Sequence, residues 1–249
     1  MTAKADPWAQ LKLLDLQALD TRLDQLAHRV ASLPEHAEIA AAEEALAGVS
    51  DRVVVAATEA DDLGRAVRKA EADVEQVRTR VARDQGLLDS GAVSSAKQLE
   101  DLQRELASLA RRQSDLEDTE LEIMEALETA QAAVLALEGE RSGIEAAREA
   151  AVQRRDAALA EAETDIAAAK AERAEVAGEM PADLLALYEK LRAQHGGVGA
   201  AKLFRGRCEG CHMELNPTDI GRIRESPSDA VVRCEECRRI LVRASDSGL

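Results

Sequence analysis

From Leu16 to Ala169, apolar side chains recur at alternating spacings of three and four residues, and that periodicity restricts the fold more than any other feature. Leu16, Leu19, Leu23, Leu26, Val30 and Leu33 make a coiled-coil seam. It follows a helix start at Asp6-Pro7, where Asp6 can cap and Pro7 is tolerated in the first turn. Pro34 then interrupts, because it lacks an N–H donor and clashes with the preceding turn. Beyond it the seam resumes as Leu46, Val49, Val53, Ala56, Ala60, Leu63, Val67, Ala70, Val74, Val77 and Val81. The second stretch is shifted by two residues in heptad phase, which a kink or local unwinding at Pro34 explains.

Dense turn chemistry in the first half is confined to Gly86–Ser95, which places a hairpin tip there. Ser95 and Gln98 read as a capping box opening the next helix. Its seam runs Leu99, Leu102, Leu106, Leu109, Leu116, Ile123, Leu127, Ala130, Val134 and Leu137, with Gln113 and Glu120 as polar members. Gly139 and Gly143 mark an expected weak point, after which Leu159, Ala162, Ile166 and Ala169 follow in a new phase. Pro34 and the glycine pair lie at similar distances from the tip, so both arms are expected to bend at the same height. A connection of about ten residues cannot reach back along so long a helix, so the arms run antiparallel. At 1.5 Å per residue each spans on the order of 100 Å.

Composition agrees. The 249 residues are 46% hydrophobic and 32% charged but 1% aromatic, a long-helix profile rather than that of a mixed globular domain. No stretch is apolar enough to span a membrane, and the polar first ten residues lack a signal-peptide core, so a cytoplasmic location is expected. The expected fold class is mainly α: a long antiparallel helical hairpin over residues 1–180, its tip near 86–95, and a small C-terminal zinc ribbon within 181–249. Met180-Pro181 ends the second arm, and Leu184, Leu187, Tyr188 and Leu191 line one face of a short helix closed by Gly196-Gly197. That helix is expected to dock the ribbon onto the hairpin base.

All four cysteines lie beyond it, as Cys208-Glu209-Gly210-Cys211 and Cys234-Glu235-Glu236-Cys237. Two residues between thiols let a tight turn aim both sulfurs at one point, and two such turns supply four thiolates for one Zn2+ per chain. Disulfides and redox chemistry are disfavoured without a secreted context or a βαβ pattern. The long gap between the pairs is explained by a short helix that Asn216-Pro217 caps, running to about Ile223. Val231–Arg233 and Ile240–Val242 read as short strands, and His212 as a strand residue packing on the first knuckle rather than a fifth ligand.

Four thiolates leave zinc no open position for water, and a two-helix arm has no cleft, so neither an enzyme nor a small-molecule substrate is expected. From Gly196 onward nine basic residues face eight acidic ones, a net +1, which leaves −17 of the total −16 elsewhere. A nucleic-acid partner is therefore expected only at the ribbon, through Arg205, Arg207, Arg238 and Arg239. The alternative is a protein scaffold or chaperone whose partner binds the hairpin.

Two stretches carry a family resemblance. Leu88-Asp89-Ser90-Gly91-Ala92-Val93 through Lys97–Leu106 resembles the hairpin signature of bacterial coiled-coil proteins with a C4-type zinc ribbon. The other half of the resemblance is Tyr188–Arg192, Cys208–Met213 and Cys234–Leu241. It implies a helical hairpin joined to a ribbon, zinc on the four cysteines, no catalysis, and gene regulation through nucleic-acid or protein partners. Arg238 stands where that family usually has glycine, which implies a strained knuckle or an outward-facing arginine. Asn216 replaces a usual proline.

Overall fold

A computed structural model describes residues 3–249. Helix α1 (Pro7–Ala31) opens where the Asp6 carboxylate accepts from the Trp8 N–H at 2.8 Å, with Pro7 in the first turn. It closes at Ser32, and Pro34 then opens α2 (Pro34–Asp89). Proline therefore starts a helix here, where its missing N–H costs nothing, and the phase shift of the seam is a true break. At the tip Gly91 takes φ 68, a left-handed conformation open to glycine, and its N–H bonds the Leu88 carbonyl at 3.2 Å. The Ser95 hydroxyl then accepts from the Gln98 N–H at 3.2 Å and α3 (Ala96–Gly178) begins.

One compact unit is Ala37–Val152. Within it Glu43 meets Arg148 at 2.7 Å, Arg52 meets Glu140 at 3.1 Å and Arg78 meets Glu117 at 2.7 Å. Partner numbers fall as the first numbers rise, so α2 and α3 are antiparallel. The α2 seam is as expected, with Val49, Val67, Ala70 and Val74 buried, and it also takes in Ile39 and Asp84.

The expected weak point in the second arm is not there. Helix α3 runs unbroken through Gly139 and Gly143, and its heptad keeps one phase from Leu99 to Val176. Arg141, Arg148 and Arg155 occupy the same seam position in three successive heptads, each half-buried, with Ile144 and Ala151 between them. Their long aliphatic stems cover the seam while the guanidinium heads reach carboxylates, as Arg148 does with Glu43. That is why an apolar pattern fades while the helix does not. A methyl group added at Gly139 or Gly143 meets nothing within 4 Å outside the helix. Gly139→Ala and Gly143→Ala will therefore each raise stability by about 0.5–1 kcal/mol, read as a higher thermal midpoint.

The other compact unit joins the chain up to His36 with Gln153–Leu249. It adds α4 (Ala182–Gln194), β1 (Ala200–Phe204), β2 (Arg207–Cys208), α5 (Pro217–Glu225) and β3 (Ile240–Arg243). The sheet order is β2-β1-β3, with β1 antiparallel to β2 and parallel to β3. Val231–Arg233 is not a strand: Ala230 and Arg233 make isolated bridges to Lys4 and Ile240, and the Val231 N–H bonds the Ala3 carbonyl. The segment is thus shared: residues 230 and 231 pair with the N-terminal residues 3–4, while Val232 and Arg233 pair with β3.

One core joins α1, α4 and the sheet: Leu13, Leu16, Leu184, Tyr188, Leu191, Ile240 and Val242 are all nearly inaccessible. Beside it lies a buried polar network. Asp20 accepts from the Tyr188 hydroxyl at 2.7 Å and from Arg173 at 2.6 Å, and Arg192 stands 3.4 Å from it. Arg173 also pairs with Glu189. Gln17 accepts from the Gly199 N–H at 2.8 Å and donates to the Gly197 carbonyl at 2.9 Å, tying the loop before β1 to α1. The expected docking helix is thus held by its apolar face and by a carboxylate clamp.

Candidate metal centre

Both C-x-x-C turns are built alike. The N–H four residues after the first cysteine returns to that cysteine's carbonyl, His212 to Cys208 at 2.7 Å and Arg238 to Cys234 at 2.9 Å. The first cysteine's own N–H reaches the carbonyl of the residue after that, Met213 or Arg239, at 3.0 Å in each turn. Closing so tight a loop drives the residue after the second cysteine into the left-handed region, and His212 (φ 61) and Arg238 (φ 63) both occupy it. His212 is accordingly an exposed turn residue, not a strand residue packed on the knuckle.

The four sulfurs lie within 4.8 Å of one another, with Cys208–Cys237 and Cys211–Cys234 each separated by 3.9 Å. Zinc–sulfur bonds of about 2.3 Å in a tetrahedron give edges of about 3.8 Å. The cluster fits a zinc ion, and none of the cysteines is in a disulfide. Burial pushes the Cys208 and Cys234 thiols up, against the pull of nearby amide donors. Burial is the largest influence on Cys237 too, but hydrogen bonds from the Arg239 amide and side chain, with those from Cys211 and Cys234, together outweigh it and leave that thiol below its ordinary value. Leu203, Leu215, Ile223 and Leu241 pack around Cys208 and Cys234, so the metal site and the ribbon's inner core coincide. Gly210 is needed in the first turn because a Cβ there would sit 2.8 Å from the Ala201 Cβ.

The four arginines singled out in the sequence differ in what their side chains contact. Arg239 is half-buried, donating to the carbonyls of Val198, Gly210 and His195 at 3.0, 3.2 and 2.9 Å, and so ties the loop after α4 to the first knuckle. Arg207 pairs with Glu209 at 2.8 Å and Arg238 with Glu235 at 3.3 Å. Arg205 is exposed, its guanidinium 5.1 Å from the Phe204 ring centroid, with Lys202 5.7 Å from the same ring. Sequence reading missed Arg243, which donates to a cradle of carbonyls including Ser226 at 3.0 Å, Pro227 at 2.8 Å and Ala230 at 2.9 Å. It thereby anchors the exit from α5.

A coiled-coil hairpin bearing a four-cysteine zinc ribbon is the class that this fold and this cluster define. The sequence profile of the CT398-like coiled-coil hairpin domain matches residues 16–196, and that of the C4-type zinc ribbon domain matches residues 207–241. The chain belongs to the CT398-like coiled-coil hairpin family. It is 38% identical over 240 residues to the protein Rv2229c of Mycobacterium tuberculosis, covering 96% of this chain and 97% of that one. A solved structure from Mycobacterium smegmatis superposes with a TM-score of 0.81 at 34% identity, covering 96% of this chain and all of the other. CT398 from Chlamydia trachomatis shares the fold, with a TM-score of 0.64 at 18% identity over 95% of this chain and 98% of its own. No helix among the described residues is long and apolar enough to cross a membrane.

Proposed function

We propose that the protein is a non-enzymatic adaptor that carries one zinc ion on Cys208, Cys211, Cys234 and Cys237 and binds a protein partner through its hairpin. The observation that carries this reading is how the ribbon's basic residues are used. Of the nine from Gly196 onward, Arg239 and Arg243 serve backbone carbonyls. Lys202, Arg207, Arg222 and Arg238 pair with carboxylates, and the Arg233 side chain donates to the Arg238 carbonyl. Only Arg205 and Arg224 form neither kind of contact among the described residues. The unit Ala37–Val152 differs in kind. It holds 13 basic and 26 acidic residues, a net −13, and exposes Val54 (65%), Val55 (68%) and Leu135 (69%) among them. Aliphatic side chains standing in a strongly acidic surface suit a basic protein segment with apolar residues of its own.

A second reading has its own observation. Phe204 flanked by Arg205 and by Lys202, which would exchange Asp246 for the phosphate, offers a ring and two cations, a small platform for a nucleotide base and its phosphate. Photo-crosslinkers at positions 55 and 205 in cells separate the two. Protein adducts from position 55, lost when Val54 and Leu135 are both changed to Ser, support the adaptor. Nucleic-acid adducts from position 205, with log affinity falling against log salt at a slope of about −2, support the second reading instead.

A further inference from the structure

The second knuckle forms one wall of a cleft of about 330 Å3, and α5 forms the other. Leu215, Ile223, Val231 and Val232 give it an apolar floor, the first three of them buried. Arg222 and Arg238 stand at its mouth, joined by Glu235, one carboxylate oxygen to each guanidinium at 3.4 and 3.3 Å. Charge-assisted pairs of this type close to about 2.7–2.9 Å when they are tight. Both Glu235 contacts are therefore slack, and Glu235 is itself exposed. Arg222 has a closer carboxylate in Asp219, so Glu235 is the replaceable member of the group.

Arg238 holds its place at a cost. Its φ of 63 is a conformation that glycine adopts freely and a side chain does not. Nothing in the knuckle hydrogen bonding uses its side chain, since the N–H to Cys234 and the carbonyl accepting from Arg233 are backbone groups. What glycine would lose is the guanidinium at the mouth of the cleft.

We infer that this cleft is a binding site for a carboxylate carried on an aliphatic body, with the ligand carboxylate displacing Glu235 from Arg222 and Arg238 while the body fills the apolar floor. The internal carboxylate shows that a carboxylate fits between the two guanidinia. The lining contains no aromatic ring for a base to stack on, and the volume lies within the range of small-ligand sites. The cleft uses none of Val54, Val55 and Leu135, to which the adaptor reading assigns its partner, but it draws on Arg222 and Arg238, whose carboxylate pairings that reading also cites. Two sources present this chemistry: a free short-chain branched acid, and the C-terminus of a peptide ending in leucine.

Calorimetric titration of the zinc-loaded full chain tests it with four probes: isocaproate, isocaproamide, an acetylated peptide ending in Leu with a free carboxylate, and inorganic phosphate. At least one acid is expected to bind in the millimolar range or tighter. Isocaproamide and phosphate should bind at least tenfold more weakly than that acid, since one lacks the charge and the other the body. A peptide at least tenfold tighter than isocaproate identifies a peptide terminus as the source, and equal affinities identify the free acid. Arg238→Gly relieves the backbone and removes the guanidinium, so it should keep full zinc content, unfold at the same or a higher temperature, and bind the acid at least tenfold more weakly. Glu235→Gln should tighten binding several-fold by removing the internal competitor. The inference is overturned if neither acid binds by ten millimolar, if amide and acid bind alike, or if Arg238→Gly leaves affinity unchanged.

Discussion

Removing zinc, by chelation or through Cys208→Ser, will abolish hydrogen-exchange protection across residues 205–238 while the long helices keep theirs. The inner core of the ribbon is small, and two of its seven buried members are the ligands Cys208 and Cys234 themselves. The strands are five, two and four residues long, too short to hold a fold by pairing alone. Zinc in comparable small sites contributes about 10–16 kcal/mol of apparent binding free energy, more than such a core supplies. Without metal the buried Cys208 and Cys234 thiols stay protonated, since burial pushes both up. Binding must then displace those protons, so zinc affinity falls as the pH falls. Helices α1 and α4 belong to the other core, built on Leu13, Leu16, Leu184 and Tyr188, and so survive. Only nine helical residues, those of α5, lie within the affected span, so the loss of helical circular dichroism will be small. Unchanged protection over 205–238 after the metal has gone, or full zinc occupancy in Cys208→Ser, would falsify the assignment.

The features legible in the sequence are those whose physics is local. Pro34, Gly91, Ser95 and Asn216 act on their own backbone or on an N–H within three residues, and each ends or begins an element as expected. The two cysteine pairs were legible for the same reason, because the turn that aims two sulfurs together is contained within six residues. Seam positions were legible while they were apolar. Arg141, Arg148 and Arg155 hid the seam because a long basic side chain can lie on a helix surface or along a seam, and only the partner helix decides which. Arg239 was read as a phosphate contact and Arg243 was passed over for a related reason. Their acceptors are main-chain carbonyls of residues 13 or more positions away, and no residue type advertises a carbonyl. Asp20 lay beyond the same horizon, since two of its partners, Arg173 and Tyr188, are more than 150 residues distant.

Asp20 should therefore be the costliest single polar position in the protein. Its side chain is 1% exposed, and Arg173, Arg192 and Tyr188 converge on it from α3 and α4. Hydrogen bonding to Asp20 holds the Arg173 guanidinium well above its ordinary value. Burial, then the bond to Asp20, raises the Tyr188 phenol likewise. Asp20→Ala leaves two cations and a hydroxyl without their acceptor, and breaking a buried pair in this way costs about 3–5 kcal/mol. Asp20→Asn should cost nearly as much, because it removes the charge and turns one acceptor oxygen into a donor facing a guanidinium. Tyr188→Phe deletes one hydrogen bond to a charged group and should cost about 1.5–3 kcal/mol. The pH dependence has a definite sign. The phenol is neutral when protonated and its folded-state value lies above the ordinary 10.0, so its contribution is complete below that pH and is lost as the pH rises beyond it. Tyr188→Phe should flatten the alkaline limb of the stability curve. The clamp also predicts coupling: Asp20→Asn combined with Tyr188→Phe should cost less than the two changes separately, since the second removes a bond that the first has already weakened. Denaturant titrations of the four proteins measure all of this. An Asp20→Asn protein within about 1 kcal/mol of the unmodified chain, the usual worth of an exposed ion pair, would mean that the apolar face of α4 holds the joint alone.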